Sequence, residues 1–405
     1  MEKKKNSGAK RSAIKISLMA LISLLLLIPL AMVESLIDDR EDNMEKIAIE
    51  VANSYAEAQT VCAPKFISTS ALKNGKNEYY NCKKLDYKVV VDTDILHRSI
   101  YDVIVYRSKI DISGNFKVTV AMLNAKSNHF EFDITDFKGL ASLSTLSFGS
   151  KTYNMAKSNN VLEAIVTLPE SAKIGDLVEF NATLYLKGTK SLTFEPNAAE
   201  TTLNISSTYP HPSFKGDILP THRDVRSDGF EATWSVLDMN INSSISNTMV
   251  VEFVNPANPY QQATRSAKYG ILIIILVFVA GLLAEFLSGK EISPIQYAII
   301  GLSLVLFYSL LLSFSEFIAF GWAYVIAALM TTVALTLYFR GILKSRNGYT
   351  LGIFVALVYI VNYMLLQMET FALLAGSLVL FVLLCVVMYL TTNINNPKVE
   401  TDTND

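Results

Sequence analysis

Charged residues and cysteines are scarce in this sequence. Asp, Glu, Lys and Arg make up 18% of its 405 residues, whereas an ordinary soluble domain carries about 25%. The formal net charge is only −2, so the chain lacks the broad basic surface that binding to nucleic acid requires. Three cysteines are too few for a disulfide-stapled scaffold. These shortages argue against a nucleic-acid partner and against a small disulfide-rich fold.

The short motifs of common catalytic sites are also missing: GxSxG, Walker A, GxGxxG and HExxH do not occur. The most suggestive polar cluster contains His211, Asp217, His222 and Asp224. Its two histidines lie 11 positions apart across two prolines, unlike the close spacing of paired zinc ligands. We therefore favour a proline-braced loop over a metal site, and we predict no cofactor.

Hydrophobic residues, by contrast, reach 51% and concentrate near the C-terminus. Residues 269–390 contain only eight charged residues, which separate five apolar runs. Each run is close to the ~20 residues that cross a ~30 Å hydrocarbon core. A core helix of a soluble protein would show a polar stripe, which these runs lack. The predicted spans are 269–287, 295–314, 317–339, 350–368 and 371–390.

A sixth apolar run, 16–33, follows a basic N-terminus and can be either a cleaved secretory signal or a retained anchor. Its 18 residues exceed the usual signal core of about 7–15. The residues at its end, Ala31 to Glu34, match the small-x-small cleavage pattern poorly. We therefore predict a basic cytoplasmic segment, 1–13, and a retained first transmembrane helix, 14–33.

Lysine and arginine in the short loops set the predicted orientation. The N-terminus and the loops 288–294 and 340–349 carry basic residues, whereas the turns 315–316 and 369–370 carry only glutamate as a charged residue. With six spans, this alternation places both termini in the cytoplasm and exports the long segment 34–268 to the periplasm.

The exported segment begins as a helix and changes to alternating strands after Cys62. The strands are predicted at 87–91, 99–106, 116–123, 129–134, 161–168, 176–188, 201–208 and 230–237. Many short strands without alternating helices are typical of an antiparallel sandwich. The predicted fold class is therefore a multi-pass α-helical membrane protein with a large exported all-β, sandwich-like domain, 34–268, inserted between the first and second transmembrane helices. A five-helix bundle, 269–390, and a disordered cytoplasmic tail, 391–405, complete the chain.

Cys62 and Cys82 both fall in the exported segment, and the sequence leaves two interpretations open. In an oxidising compartment they could form a disulfide that closes a loop of about 20 residues and contributes about 3 kcal/mol. Alternatively, they are two free thiols buried in strands. Spacing alone does not decide, because a disulfide also needs a specific geometry.

Few polar residues fall inside the predicted spans. Glu285, Glu316 and Glu369 lie within about one turn of a predicted end, where water or lipid headgroups can solvate them. Asn362 and Gln367 can form hydrogen bonds between helices. A proton or ion pathway needs several polar groups at mid-depth, so the sequence argues against a transporter or channel.

Five strings of residues stand out along the chain. They are RSIYDVIVY (98–106), YPHPSFKGDILP (209–220), DGFEATWSV (228–236), RSAKYGILIIIL (265–276) and SPIQYAIIGLSLVLFYSLLLSFSE (293–316). In these strings, and in its order of one span, a β domain and five spans, the chain resembles the CreD family of bacterial inner-membrane proteins. The family is also called the cell envelope integrity or colicin-tolerance family. The resemblance covers about residues 87 to 390, and it implies an envelope-stress protein with no established catalytic activity.

The resemblance is densest in the segment 209–220 and at the start of the second span. We predict that these parts form a structural clasp, which holds the β domain in a fixed attitude above the helices. The prolines of the segment restrict φ to about −65° and stiffen it. Phe214 is expected to be buried, and Asp217 is expected to meet Arg265 or Lys268. The predicted motif residues are Pro210, His211, Pro212, Ser213, Phe214, Asp217, Pro220, Arg265, Lys268 and Tyr269.

Three classes of function follow, ranked by the sites that the sequence shows. The first is a non-enzymatic inner-membrane protein that supports envelope integrity or the envelope-stress response, with the β domain as its interaction module. Its expected partners are the lipid bilayer and an envelope protein of unknown identity. The second class is a small-molecule transporter or channel component. The third is a periplasmic enzyme, which would need a convergent nucleophile or metal site.

Overall fold

The computed structural model of the protein divides into two compact units. It describes residues 14–15, 17–70, 77–143, 145–159, 161–241, 247–255, 258–288, 290–344 and 347–367, together with residues 377, 381, 385 and 388. The helical unit comprises Met1–Asp42 and Ala257–Asp405, and the β-rich unit comprises Asn43–Pro256. Residues 34–42 group with the helices because they continue the first helix. Residues 259–268 also group with the helices because they form a helix themselves.

Apolar helices dominate the helical unit. The helices among the described residues are α1 (Leu27–Ser54), α2 (Val120–Leu123), α3 (Pro259–Lys268), α4 (Gly270–Ser288), α5 (Pro294–Ser315), α6 (Phe320–Leu343) and α7 (Asn347–Gln367). Helical residues before α1 extend it back to Ser17, which makes a helix of 38 residues. This first helix, α5, α6 and α7 are long and apolar enough to cross a membrane, and α3 with α4 is a fifth candidate although the pair bends by 43°.

The described helices account for four of the six predicted spans, and for a fifth if α3 and α4 together form one bent span. The predicted sixth span, 371–390, lies almost wholly outside the described residues. The N-terminal segment 1–13 and the tail 391–405 also lie outside them.

Local sequence signals explain where the helices begin and end. The Ser293 side chain accepts a hydrogen bond from the Gln296 backbone, and the Gln296 side chain accepts one from the Ser293 backbone, so α5 begins with a capping box. Pro294 occupies the first turn, where a missing N–H costs nothing. At the other end of the next helix, Lys344 adopts a left-handed conformation (φ 44°) and its N–H bonds the Arg340 carbonyl, which ends α6.

The described residues of the β-rich unit form two sheets. Its strands are β1 (Gln59–Cys62), β2 (Lys65–Ser70), β3 (Asn77–Arg98), β4 (Tyr101–Lys117), β5 (Ala125–Asp133), β6 (Leu140–Leu143), β7 (Leu146–Phe148), β8 (Lys151–Tyr153), β9 (Ala156–Ser158), β10 (Val161–Val166), β11 (Leu177–Thr189), β12 (Ser191–Glu195), β13 (Ala198–Ser207), β14 (Pro212–Lys215), β15 (His222–Arg226), β16 (Gly229–Leu237) and β17 (Met249–Phe253). One sheet has the order β1-β12-β17-β14. The other has the order β8-β7-β11-β4-β3-β2-β5-β10-β9, with β6, β13, β15 and β16 paired outside this path.

The predicted antiparallel β-rich domain is confirmed, with three corrections. The predicted strand 116–123 is wrong beyond Lys117, because residues 120–123 form the helical turn α2, which the Thr119 side chain caps. The strands are not all short, because β3 and β4 form a hairpin with strands of 22 and 17 residues. Two strand pairs are parallel rather than antiparallel, β1 with β12 and β3 with β13. Each parallel pair joins strands far apart in the chain, a pairing that alternation within one strand does not reveal.

Both sheets contribute side chains to one hydrophobic core. The Tyr87 and Phe194 rings lie 5.1 Å apart, and the Tyr106 and Phe253 rings lie 5.2 Å apart, so each pair joins one sheet to the other. Trp234 is fully buried in the same core. Aromatic rings of this size contribute strongly to core stability, because each buries about 150–250 Å².

Candidate functional site

The segment 209–220 is partly a strand and not the irregular loop that its prolines suggest. Its residues 212–215 form β14, which pairs with β17 at the edge of the four-stranded sheet. Proline is tolerated in an edge strand because the N–H group that it lacks can be one that would face away from the neighbouring strand. The segment is tied further by Tyr209, whose hydroxyl donates to the Val254 carbonyl at 2.6 Å. These contacts all lie within the β-rich unit.

Phe214 is only half-buried, whereas the sequence predicted a buried side chain. Its ring packs edge-on against Phe230 and Trp234, with centroids 5.7 and 5.8 Å apart. The Asp217 carboxylate accepts hydrogen bonds from the backbone and the hydroxyl of Thr248, both at 3.2 Å. Asp217 therefore has a partner in its own unit.

The other clasp residues divide between the two units. Pro212 and Ser213 lie in β14 and pair with Phe253 and Glu252. His211 is exposed, with its ring 6.0 Å from that of Tyr209. Pro210 and Pro220 flank the strand without belonging to it.

Arg265 and Lys268 occupy the last turn of α3, and Tyr269 is its C-cap. Cations in this position interact favourably with the negative end of the helix dipole. These residues belong to the helical unit, and the clasp between the units stays a prediction.

The suspected metal ligands do not converge. His222 and Asp224 lie exposed in β15, and Asp217 bonds Thr248 instead. Within the described part of the chain, no group of three or more His, Cys, Asp or Glu side chains is placed to hold a metal ion.

Cys62 and Cys82 are free thiols in the structure. Burial, and after it the neighbouring Glu195 carboxylate, raises the pKa of the Cys62 thiol to about 12. Burial also raises the pKa of Cys82, whose thiol donates to the Pro64 carbonyl at 3.6 Å. Both groups are therefore thiols and not thiolates near neutral pH, a state in which cysteine is a poor nucleophile.

Three polar side chains on the β-rich unit form a connected trio that sequence reasoning missed. His129 Nε2 lies 2.9 Å from Ser127 Oγ, and His129 Nδ1 bonds the Glu163 carboxylate. A serine hydroxyl, an imidazole and a carboxylate that contact one another in this order form the arrangement in which an imidazole can act as a general base on the serine. Ser127 and His129 share one strand face, but Glu163 comes from β10, 34 residues away in sequence, and no sequence motif joins them.

The position of this trio favours a structural role. Ser127 lies inside β5 and pairs with Thr69 of β2, whereas serine nucleophiles sit where free backbone N–H groups can stabilise an oxyanion. Glu131 lies directly opposite Glu163 in the ladder. Burial, and after it the Glu163 carboxylate, raises the pKa of Glu131.

In the helical unit, two glutamates that were expected to be solvated by water or lipid headgroups instead form ion pairs. Their partners are Lys15, just before the first helix, and Arg40, within that helix. Lys15 forms an ion pair with Glu285, to which the Tyr297 hydroxyl also donates at 3.4 Å. Arg40 Nε lies 3.6 Å from the Glu316 carboxylate. Charged groups in apolar surroundings are stable only when they are paired in this way.

Close packing fixes the direction of the first helix. A Cβ atom on Gly270 would lie 2.8 Å from Leu30, and one on Gly301 would lie 2.1 Å from Leu26. Lys15 pairs with Glu285 at one end of α4, and Leu30 meets Gly270 at its other end. The first helix therefore runs antiparallel to α4.

A second set of polar residues lies inside the helical unit. Asn362 Nδ2 donates to the Tyr324 hydroxyl at 3.0 Å and reaches Ser266 Oγ at 3.4 Å. The Tyr324 hydroxyl donates to the Tyr359 carbonyl at 2.8 Å. The predicted interhelical hydrogen bond of Asn362 is confirmed. The sequence does not single out Tyr324 or Tyr359, because a tyrosine in an apolar run resembles an ordinary core aromatic.

The architecture is that of a membrane protein in which several apolar helices accompany a large antiparallel β-rich unit. The chain belongs to the CreD family, because the family model described as "Inner membrane protein CreD" matches residues 11–396. A relative of that description from Escherichia coli (strain K12) is 28% identical over 408 residues, which cover 92% of this chain and 91% of the relative. The resemblance is thus confirmed, and the protein is a multi-pass inner-membrane protein of this family.

Similarity to solved structures is weak. An M1 zinc metallopeptidase from Deinococcus radiodurans is 11% identical with a TM-score of 0.26, over 42% of this chain and 41% of the peptidase. A mutant of that peptidase bound to a Tyr-Ser-Ala substrate is 9% identical with a TM-score of 0.26, over 46% of this chain and 53% of that one. The chain thus spans about half or less of these proteins, and scores this low carry no argument about fold or activity.

Proposed function

We propose that the protein is a non-enzymatic inner-membrane protein that supports envelope integrity or the envelope-stress response. The observation that carries this proposal is the family match, which extends over residues 11–396 and includes both units. In this proposal the β-rich unit is a periplasmic interaction module, and both termini are cytoplasmic. The bilayer and an envelope protein are its partners.

The orientation rests on the distribution of basic residues. Lys290 lies between α4 and α5, and Arg340 lies near the end of α6, on the side that the proposal places in the cytoplasm. Glu316 lies in the turn between α5 and α6, on the opposite side. A domain as large as the β-rich unit is translocated largely regardless of its own charge.

Complementation tests the non-enzymatic part of the proposal. A strain that lacks the protein should become sensitive to detergent and to β-lactams, and the wild-type chain should restore resistance. Ser127→Ala and His129→Ala should restore it as fully, because the trio has a structural role. Loss of rescue by both variants at normal abundance would overturn the non-enzymatic assignment.

Crosslinking in native membranes tests the interaction module. A photo-crosslinking residue at Tyr79, Ile174 or Met239, which are 64, 65 and 88% exposed, should capture one discrete partner band. The same residue at the fully buried Trp234 is the matched control and should capture none. If none of the exposed positions yields a product above this control, the β-rich unit is not an interaction module.

A transporter or channel component is the second candidate, and one observation favours it. The sequence shows few polar groups inside the helices, but Ser266, Tyr324 and Asn362 form a buried hydrogen-bonded set there. Uptake or efflux by proteoliposomes that contain the purified chain would distinguish this candidate from the first.

A further inference from the structure

Five polar atoms in the helical unit are buried without a hydrogen bond to any residue that the structure describes. Two of them are Thr264 Oγ1 and Glu316 Oε1, and the second lies 3.6 Å from Arg40 Nε. The other three are the hydroxyls of Tyr308 and Tyr359 and the Oδ1 atom of Asn362. The three residues are only 2, 2 and 3% exposed. A buried polar group without a partner is strongly unfavourable, and a lipid tail offers it none. Three such atoms call for a common explanation.

The three residues belong to a single cluster. The Phe307 ring lies 4.9 Å from Tyr308, 4.4 Å from Tyr359 and 5.3 Å from Tyr324. Asn362 Nδ2 donates to the Tyr324 hydroxyl, which in turn donates to the Tyr359 carbonyl.

The Tyr324 hydroxyl already donates one hydrogen bond and accepts another, and both hydrogens of Asn362 Nδ2 are used. The atoms without a partner are therefore on Tyr308, Tyr359 and the Oδ1 side of Asn362. The Thr331 hydroxyl is near that of Tyr359, but it donates its own hydrogen to Ala327 at 2.9 Å. It can therefore only accept from Tyr359, which would leave Tyr308 and Asn362 Oδ1 still without partners.

The cluster lies beside the bend between α3 and α4. Ser266, which Asn362 reaches, is in the last turn of α3, and a Cβ atom on Gly270 would lie 3.2 Å from the Tyr308 ring. The two helices bend by 43° here. In membrane proteins an interrupted helix is tolerated where its freed polar groups are buried in protein or line a cavity, and ligand sites form at such breaks.

We propose that the bend, α5 and α7 enclose a site for a small uncharged molecule that both donates and accepts hydrogen bonds. Asn362 Oδ1 accepts from this molecule, and the Tyr308 hydroxyl donates to it. The described side chains of the cluster are all uncharged, so they suit a neutral ligand and not an ion. Water is the smallest molecule of this class, and a short polyol is a larger one.

The thermal midpoint of Tyr308→Phe tests the site in the full chain, purified in detergent. If a ligand occupies the site, removing the hydroxyl deletes a hydrogen bond, and the midpoint should fall by several degrees. If the site is dry and empty, the same change removes an unpaired polar atom, and the midpoint should rise or stay constant. Either of these last results overturns the proposal.

Two further variants calibrate that measurement. Tyr324→Phe deletes a hydroxyl with two hydrogen bonds in the structure and should lower the midpoint. Tyr338→Phe changes a partly exposed tyrosine on α6 and should leave it unchanged.

Glycerol distinguishes water from a larger solute. If the site takes a polyol, glycerol should raise the midpoint of the wild-type chain more than that of Tyr308→Phe. If it holds water, glycerol should raise both equally, while Tyr308→Phe remains less stable in its absence. Both results support the neutral hydrogen-bonding site. The inference does not rest on the envelope role, because complementation and thermal stability are measured independently.

Discussion

Phe214, like Tyr209 and Ile218, packs the segment 209–220 against the core of the β-rich unit. Its edge-on contacts with Phe230 and Trp234 join the segment to the β core, and such pairs contribute about 0.5–1.5 kcal/mol beyond the area that they bury. The polar side chains nearby contribute less. His211 and Asp217 are exposed, and changes at exposed positions usually alter stability by no more than about 0.5 kcal/mol.

We expect Phe214→Ala to lower the free energy of unfolding by about 2–3 kcal/mol. This is less than the roughly 3–5 kcal/mol lost when a fully buried phenylalanine is truncated, because Phe214 is half-buried. Asp217→Ala and His211→Ala should change it much less. Protease resistance of the membrane-embedded chain measures the order of the three variants. Normal abundance with lost function for His211→Ala and His222→Ala would point instead to a chemical role.

The two cysteines of the β-rich unit should behave as free thiols. Because Cys62 and Cys82 are unpaired in the structure, maleimide should modify all three cysteines once the unreduced chain is denatured. In the native chain, burial should protect Cys82 from the reagent. Modification of Cys385 alone in the denatured chain would demonstrate the disulfide.

Glu131 should make the β-rich unit less stable as the pH rises. Burial and Glu163 raise its pKa, so the folded state holds the proton more tightly than the unfolded state does. This contribution is present below the ordinary glutamate pKa and is lost as the pH rises through the raised value. Glu131→Gln should therefore be more stable than the wild type at pH 8 and lose that advantage at pH 4. Thermal melts at both pH values check the sign, and Glu179→Gln at an exposed site is the control.

At the scale of elements, ion pairs connect the first helix to the bundle at both ends of its apolar stretch. Lys15 pairs with Glu285 and Arg40 pairs with Glu316. The side chains of Lys15 and Glu285 are only 20 and 11% exposed. Between the two pairs, Leu26 and Leu30 pack against glycines of α5 and α4. Small residues allow such close helix packing in membranes.

Charge reversal at the first pair should be destabilising, and the double swap should restore stability. Lys15→Glu replaces the ion pair with two neighbouring carboxylates, and breaking a buried pair costs about 3–5 kcal/mol. Lys15→Glu combined with Glu285→Lys re-forms the pair and should recover most of the thermal midpoint. Arg40→Glu is the comparison at the more exposed pair and should cost less. A double swap no better than the single change would show that the pair does not stabilise the helix.

At the scale of the whole molecule, the alternation of basic and acidic loops predicts the topology. Reporter fusions after residues 150 and 250 should report export, and fusions after residues 290, 345 and 400 should report the cytoplasm. The fusion after residue 400 also tests the sixth span, because five spans would place it outside. A cytoplasmic signal at residue 150 would overturn the orientation.

The sequence by itself determined the broad organisation of this protein. Apolar runs of about 20 residues identify membrane helices because hydrocarbon thickness sets their length. Period-two alternation identifies strands because successive side chains point to opposite faces. The capping signal at Ser293 is equally local, since its partners lie within one turn. These features depend on neighbours along the chain, and therefore sequence reveals them.

Only the tertiary structure decided which distant residues meet. The parallel pairing of β3 with β13, the trio of Ser127, His129 and Glu163, and the pairing of Lys15 with Glu285 each join residues from separate elements. The tyrosine cluster around Asn362 draws on four helices in the same way. Hydropathy and spacing report the environment of each segment but not its neighbours, because packing and long-range hydrogen bonds select those neighbours only when the chain folds.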